Sequence, residues 1–331
     1  MQHSGAPPGV EPDARRDVDD RQARTGADRI VVGLAAVTMI CTFALVVLGS
    51  TVRVTNSGMG CPSWPLCYGH IGPVDRFHAL LEQSHRYLVA IVTVGAVSTA
   101  LVARRAGGRR PVFVPAVVAA CLVVFQAALG AVTVLAKNAP WTVAVHLVVG
   151  LVFFGVTVVT VTTAIRAPHV SWTRAAVGWW GWALVAATLA TIVGGSLVVA
   201  NGAGSACPAW PFCPASASSL AAWQLLHRSL AGVTGVTLVA FVASRWRTSS
   251  RRWRVASLTS IGLYIAAAAF GAASALSRAT PAWQDVHLAV VGLLWASVVA
   301  TVSALATSRR RASVTQRTWN DSAVELQEVR G

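Results

Sequence analysis

Charged residues are scarce in this chain of 331 residues. Only 12% of them are charged and 55% are hydrophobic, whereas a soluble protein carries about 25% charged residues. The mean hydropathy is +0.60. The N-terminus also lacks the apolar stretch of a cleavable signal peptide. The scarcity of charge and the high hydropathy exclude a soluble globular fold, and we predict an all-α integral membrane protein.

Eight apolar runs are long enough to cross a bilayer, which takes about 20 residues. They lie near residues 30–50, 79–102, 112–135, 141–164, 176–199, 219–243, 255–276 and 283–306. Residues 1–28 are polar and mix acids with arginines, so we expect a disordered tail there.

The net charge of +15 is unevenly distributed along the chain. Arginines are concentrated before the first span and after each even-numbered span: Arg15, Arg16, Arg21, Arg24, Arg29, Arg104, Arg105, Arg109, Arg110, Arg166, Arg174, Arg245, Arg247, Arg251, Arg252, Arg254, Arg309, Arg310 and Arg311. This is the positive-inside pattern. It predicts a multi-pass protein of the cell membrane with both termini in the cytoplasm, and it accounts for the basic charge without nucleic-acid binding.

Two outer loops each carry a close pair of cysteines, Cys61 with Cys67 and Cys207 with Cys213. Close pairs outside the cytoplasm are expected to oxidise. A structural zinc site would need four ligands, and each loop offers only two cysteines. We therefore predict one disulfide in each loop, Cys61–Cys67 and Cys207–Cys213.

The same Cys loops reveal an internal repeat. The motif Cys-Pro-x-Trp-Pro-x-Cys at 61–67 recurs at 207–213, an offset of 146 residues. Further matches follow in order at offsets of 142 and 141 residues: His85-Arg86 with His227-Arg228, Gly130 with Gly271, and His146 with His287.

The repeat predicts two tandem four-helix bundles, at 29–165 and 175–307. A cytoplasmic linker over 166–174 joins them, and a cytoplasmic tail covers 308–331. Each unit crosses the membrane an even number of times, so both copies have the same orientation. A pseudo-two-fold axis along the membrane normal is therefore expected.

Four histidines of the repeat lie at one depth. At 1.5 Å rise per residue, His85, His146, His227 and His287 are all roughly 10 Å in from the outer face. Two imidazoles in each bundle fit the axial ligands of a haem iron held between facing helices. A polar contact between helices would explain one such histidine, but it is a poor explanation for four in matched positions.

One carboxylate breaks the symmetry. Glu82 lies one helical turn before His85, and the second half has Gln224 in its place. Glu82 is the only acid that we place well inside a span, and ionisable residues at such depth are functional candidates. Glu82, His85 and His146 would also suit a non-haem iron, but the second half could not match that site.

The arginines that follow two of these histidines have two explanations. Arg86 and Arg228 could each pair with a haem propionate, or extend to the lipid headgroups. Both explanations stay open at this stage.

Taken together, the Glu-x-x-His-Arg motif at 82–86, the three further histidines and the two Cys loops resemble bacterial haem A synthases over all eight spans. The resemblance implies oxidation of the C8 methyl of haem O to a formyl group through successive hydroxylations. It implies that His85 and His146 flank the substrate haem and that Glu82 is catalytic. It also implies that His227 and His287 ligate a haem b cofactor, and that a haem O-producing farnesyltransferase is the metabolic neighbour.

Spacing alone gives a two-haem membrane protein with one special carboxylate. A dihaem b-type electron carrier or quinol oxidoreductase is therefore the main alternative, although a carrier has no need of Glu82. A transporter built from an internal repeat is another, although the spans lack the broken helices expected at a substrate site. The oligomeric state stays open, with a homo-oligomer among the options.

Overall fold

The computed structural model describes residues 12–108, 110–166, 170–172, 174–214 and 218–309, with side chains for 26–108, 111–166, 177–214 and 218–306. These residues form eight helices and two short strands. The helices are α1 (Pro12–Val54), α2 (Phe77–Arg105), α3 (Arg110–Leu135), α4 (Pro140–Arg166), α5 (Arg174–Ala200), α6 (Ala221–Arg245), α7 (Arg251–Leu276) and α8 (Pro281–Ala306). The strands are β1 (Val170–Trp172) and β2 (Thr307–Arg309).

Each of the eight helices contains a segment long and apolar enough to cross a membrane. Hydrocarbon offers no hydrogen-bond partner to the backbone, whereas a helix pairs its backbone N–H and C=O groups within the segment. Long apolar runs therefore fold as helices. The predicted all-α class with eight spans is confirmed.

The first helix begins earlier than the sequence predicted. Residues 12–28, expected to belong to a disordered tail, form the first part of α1. A segment attached to a formed span extends it without a new nucleation cost, and proline is well tolerated at a first helical position. Residues 1–11 of the predicted tail lie outside the described residues.

The predicted linker between the halves contains a short strand. Strand β1, inside the predicted linker 166–174, pairs antiparallel with β2 directly after α8, with Ser171 opposite Ser308. The predicted tail therefore begins in a two-stranded ribbon, and its residues 310–331 lie outside the description.

Both halves use the same helix neighbours. In the first half α1 packs on α2 and α4, and α3 packs on α2 and α4; in the second, α5 packs on α6 and α8, and α7 on α6 and α8. The turns before α4 and α8 match as well. Asn138 and Ala279 both have left-handed backbones, and both donate their N–H 2.7 Å to a carbonyl five residues earlier. The pseudo-two-fold axis itself stays a prediction.

The two halves meet along α4 and α8, the most buried of the spans. There the Trp295 indole Nε1–H donates 2.7 Å to the Leu151 carbonyl across the seam. A Cβ at Gly155 would lie 2.9 Å from that indole nitrogen. A small residue is therefore required at this close contact, as is common where membrane helices pack.

Candidate functional site

The second-half histidines face each other across the bundle. His227 on α6 and His287 on α8 have ring centroids 6.5 Å apart and ring planes at 86°. A metal–imidazole nitrogen bond is about 2 Å, and adding roughly 1 Å from each nitrogen to its ring centre gives about 6 Å across an iron. The observed separation therefore fits two axial ligands of one haem iron.

Backbone carbonyls fix the orientation of these two rings. The Nδ1 atom of His227 lies 3.1 Å from the Thr191 carbonyl oxygen, and Nδ1 of His287 lies 3.0 Å from that of Ala267. A carbonyl only accepts, so each Nδ1 carries the proton and each Nε2 keeps its lone pair. This is the arrangement of a metal-ligating histidine with an outer hydrogen-bond partner.

The first-half pair is assembled in the same way but is held differently. His85 lies on α2 and His146 on α4, two helices of the same half. The Nδ1 atoms of both are buried, and neither has a hydrogen-bond partner among the described side chains and backbone. In the described part of the chain, no hydrogen bond at Nδ1 therefore fixes the orientation of either ring.

Each of the four rings packs against a glycine of the neighbouring helix. A Cβ added at that glycine would approach the imidazole Cε1 to between 3.0 and 3.4 Å. The pairs are Gly49 with His85, Gly130 with His146, Gly195 with His227, and Gly271 with His287. The absent side chains leave room for the rings, which explains why glycines recur with the histidines.

Glu82 is buried, with 5% of its surface exposed, and both of its oxygens have partners. Oε2 accepts from the Cys61 backbone N–H at 2.8 Å, and Oε1 accepts from Arg86 Nη2 at 2.6 Å. The carboxylate is therefore anchored to the first Cys loop, one turn before His85.

Gln224 occupies the matching position in the second half, but it donates hydrogen bonds where Glu82 accepts them. Its Nε2 donates to the carbonyls of Ala203 at 3.0 Å and Gly204 at 2.9 Å. An ionised carboxylate has no proton to donate, so it could not make these bonds. Glu82 and Gln224 therefore contact different backbone groups near their Cys loops, an N–H in the first half and two carbonyls in the second.

Both candidate propionate-binding arginines bind the Cys loops in this structure. Arg86 Nη1 donates to the carbonyls of Ser63 and two neighbouring residues at 2.8 to 3.2 Å. Arg228 donates to the carbonyls of Ala209 and Pro211, both at 2.9 Å. Each arginine thus ties a loop down beside a histidine, and a contact to a haem propionate stays a prediction.

The two predicted disulfides are present. Cys61–Cys67 and Cys207–Cys213 bridge Cα atoms 4.8 and 5.3 Å apart. Each closes a short loop over the end of its bundle.

The non-haem iron alternative finds little support in the geometry. The part of the chain that the structure describes contains no cluster of three or more histidine, cysteine or acidic side chains suited to a metal ion. Glu82 also engages both oxygens elsewhere. His227 and His287 face each other, and two imidazoles in this arrangement suit a haem iron.

Sequence reasoning overlooked one acid. Asp285, which the sequence analysis did not place inside a span, lies in the α8 span and contacts the other half. Ser50 Oγ donates 2.5 Å to its Oδ1, and Thr51 Oγ1 donates 3.1 Å to its Oδ2. Glu82 is therefore not the only acid inside a span. The position of Asp285 two residues before His287, on the same helix, was the available signal.

Gln126 was also overlooked. Its Nε2 donates 2.6 Å to the backbone carbonyl of His146. A polar amide in the middle of the apolar run of α3 was the sequence signal.

Comparison with known proteins gives one family. The model of the family described as cytochrome oxidase assembly protein matches residues 33–78 and 73–299. A protein named heme A synthase from Shouchella clausii is 28% identical over 79% of this chain and 92% of its own length. One of the same name from Exiguobacterium sibiricum is 27% identical, over 58% of this chain and 68% of its own length.

A third relative carries a different name. A protoheme IX farnesyltransferase from Halobacterium salinarum is 31% identical over 41% of this chain, and the match covers only 30% of that protein.

Proposed function

This chain belongs to the cytochrome oxidase assembly protein family, and from that premise we propose that it is a haem A synthase. In this proposal the substrate is haem O, and its C8 methyl is oxidised by successive hydroxylations to a diol that loses water to give a formyl group. The product, haem A, would serve a cytochrome oxidase. Two relatives that this chain matches over most of their length are named heme A synthase, which supports an enzyme of haem A formation.

The observation that carries the proposal is the matched pair of bis-histidine sites. The ring centroids of His227 and His287 lie 6.5 Å apart, and a carbonyl bond at each Nδ1 leaves each Nε2 free to bind a metal. They would hold haem b. His85 and His146 would flank the substrate haem. A bound haem iron supplies the one-electron and oxygen chemistry that side chains lack.

The protein's own residues do the remaining work. Glu82, beside His85, offers a carboxylate that can take up and return a proton near the reacting methyl. The Cys61 N–H and Arg86 hold that carboxylate in one position. Such positioning matters because misplacement of a catalytic group by about 1 Å can cost 10²-fold in rate.

The test is Glu82→Gln, which is nearly isosteric and copies the residue at position 224. We expect haem binding to survive and haem A production to fall, because loss of a general base costs about 10²–10⁴-fold. The haem A to haem O ratio is measured by chromatography, in cells that also express a haem O-producing farnesyltransferase. The reciprocal change Gln224→Glu should not create activity in the second half, because that half is expected to hold haem b. Near-normal haem A from Glu82→Gln would remove the carboxylate from the mechanism.

The similarity of the two histidine pairs also favours a dihaem b-type electron carrier as a second candidate. Pigment extraction from the purified protein separates the two functions. Haem b with haem O or haem A supports the synthase, and haem b alone supports the carrier. Absence of haem would point instead to the transporter alternative.

The cellular setting is part of the proposal. The arginine distribution supports a cell-membrane protein with cytoplasmic termini and Cys loops on the outer face. The relative named protoheme IX farnesyltransferase supports an enzyme of that kind as the metabolic neighbour that supplies haem O.

A further inference from the structure

The two histidine pairs differ in their outer nitrogens. In the second half, carbonyl oxygens of α5 and α7 accept from Nδ1 of His227 and His287 at 3.1 and 3.0 Å. In the first half, the Nδ1 atoms of His85 and His146 are buried and without partners in the described part of the chain. Outer partners of a metal-ligating histidine fix its tautomer and raise its basicity.

A change of one side chain accompanies the difference at the second ligand of each pair. At the offset of 141 residues that relates His146 to His287, Gln126 stands where the second half has Ala267. The Ala267 carbonyl reaches His287 Nδ1. Gln126 instead extends its amide to the backbone carbonyl of His146 at 2.6 Å, and its own Oε1 is buried without a partner.

The surrounding residues match this exchange in size. A Cβ at Gly150 would lie 3.0 Å from Gln126 Nε2, so the glycine makes room for the amide. The residue 141 positions later is Val291, opposite the small Ala267. The same contact between helices is thus filled in two ways. The first half has the large Gln126 beside Gly150, and the second has the small Ala267 beside Val291.

The first ligand of each pair shows a parallel difference. Thr191, whose carbonyl accepts from His227, also shares a hydroxyl hydrogen bond of 2.8 Å with Thr234 on α6. The corresponding residues in the first half are Leu45 and Val92, which pack in one apolar cluster. The second half thus has a polar link that fixes α5 against α6 below the histidine, and the first half has none there.

We propose that Gln126 is a positioning residue that keeps His146 without an Nδ1–H partner, so that the first half exchanges its haem while the second half retains its own. This rests on the proposed function, in which one site turns over and the other is permanent. Loss of an outer partner typically costs about 10–100-fold in metal affinity. The first site should therefore release haem faster by a similar factor.

The experiment uses the purified full-length protein in detergent, loaded with haem b at both sites. Excess apomyoglobin is added as acceptor, and haem transfer is followed by absorbance. We expect two phases about 10–100-fold apart in rate, with His85→Ala removing the fast one. Equal rates from the two sites in the unmodified protein would overturn the proposal.

Two size-matched exchanges then test the named residues. Gln126→Ala with Gly150→Val should slow the fast phase about tenfold or more, because the carbonyl of residue 126 becomes available to His146. Ala267→Gln with Val291→Gly should accelerate the slow phase by a similar factor. Because the two exchanges predict opposite changes, a variant that is merely destabilised would not reproduce both.

A spectroscopic readout and a control complete the design. The reduction potential of each haem should shift with the exchange, since a hydrogen-bonded imidazole is the more basic ligand. Ala268→Gln, which adds an amide to an exposed position of α7, should change neither rate nor potential. Exchanges that leave both rates unchanged overturn the proposal even if the protein makes haem A, whereas failure to bind any haem would overturn the proposed function as well.

Discussion

A polar clasp between the halves gives the sharpest structural prediction. We use this name for Ser50, Thr51 and Arg53 of α1 with Gln284 and Asp285 of α8. Ser50 and Thr51 donate to the two oxygens of Asp285, and Arg53 Nη2 donates 2.9 Å to Gln284 Oε1. Ser50 follows a glycine that packs on one histidine pair, and Asp285 precedes a histidine of the other. The clasp therefore fixes how the two sites lie relative to each other.

The perturbation is Ser50→Ala, which removes one donor from Asp285 and leaves Thr51 in place. Hydrogen bonds to charged groups contribute about 1.5–3 kcal/mol in soluble proteins, but those between membrane helices average about 0.6 and reach about 1.7 kcal/mol. Asp285 is half-buried, so its exposed side can recruit water. We expect a loss of about 1–1.5 kcal/mol, close to tenfold in the unfolding equilibrium.

The second half offers a matched control. Ser196 lies 146 residues after Ser50, and the two are similarly buried, at 2% and 5% exposure. Its hydroxyl donates only to the carbonyl of Val193 in its own helix. Such local bonds add little to a helix, so Ser196→Ala should cost about 0.5 kcal/mol or less.

The assay is unfolding of the detergent-solubilised protein by dodecyl sulfate titration, followed by tryptophan fluorescence. A double-mutant cycle of Ser50→Ala and Asp285→Asn measures the interaction energy of the two side chains, and we expect a coupling of about 1 kcal/mol. The reasoning is refuted if Ser50→Ala costs no more than Ser196→Ala, or if the two changes at the clasp add independently.

Three further predictions concern the site itself. His287→Ala should lower the haem b content of the purified protein and change its low-spin spectrum; an unchanged spectrum would contradict the assignment. Gly271→Ala should disturb the same spectrum, because its Cβ would lie 3.0 Å from the imidazole Cε1, whereas Gly232→Ala has nothing within 4 Å and should be silent. Peptide mass spectrometry without reduction should recover the Cys61–Cys67 pair linked, and its removal should cost about 2 kcal/mol given the short loop; free thiols in isolated membranes would contradict it.

The sequence by itself was sufficient for the eight spans, the loop disulfides and the recurrence of the histidines. These features depend on composition and on spacing along the chain. Long apolar runs have few alternatives to a helix in hydrocarbon, and two cysteines six residues apart are held close by the chain itself. The repeat then relates the halves without any knowledge of their packing.

The helical start of α1 and the β1–β2 ribbon were not predictable in the same way. Polar residues next to a span carry no apolar periodicity, so composition alone suggested disorder for 12–28. The ribbon joins residues 135 or more positions apart, beyond the reach of local patterns.

Only the tertiary structure showed how the site residues are held. Glu82 meets the backbone N–H of a residue 21 positions earlier, and Asp285 meets a serine 235 positions away. The partners of the second-half imidazoles are backbone carbonyls, which every residue possesses and which therefore leave no mark on the sequence. The sequence identified the four histidines. Only the packing of α5 and α7 against His227 and His287 showed that these two imidazoles have a hydrogen-bond partner at Nδ1, which His85 and His146 lack in the described part of the chain.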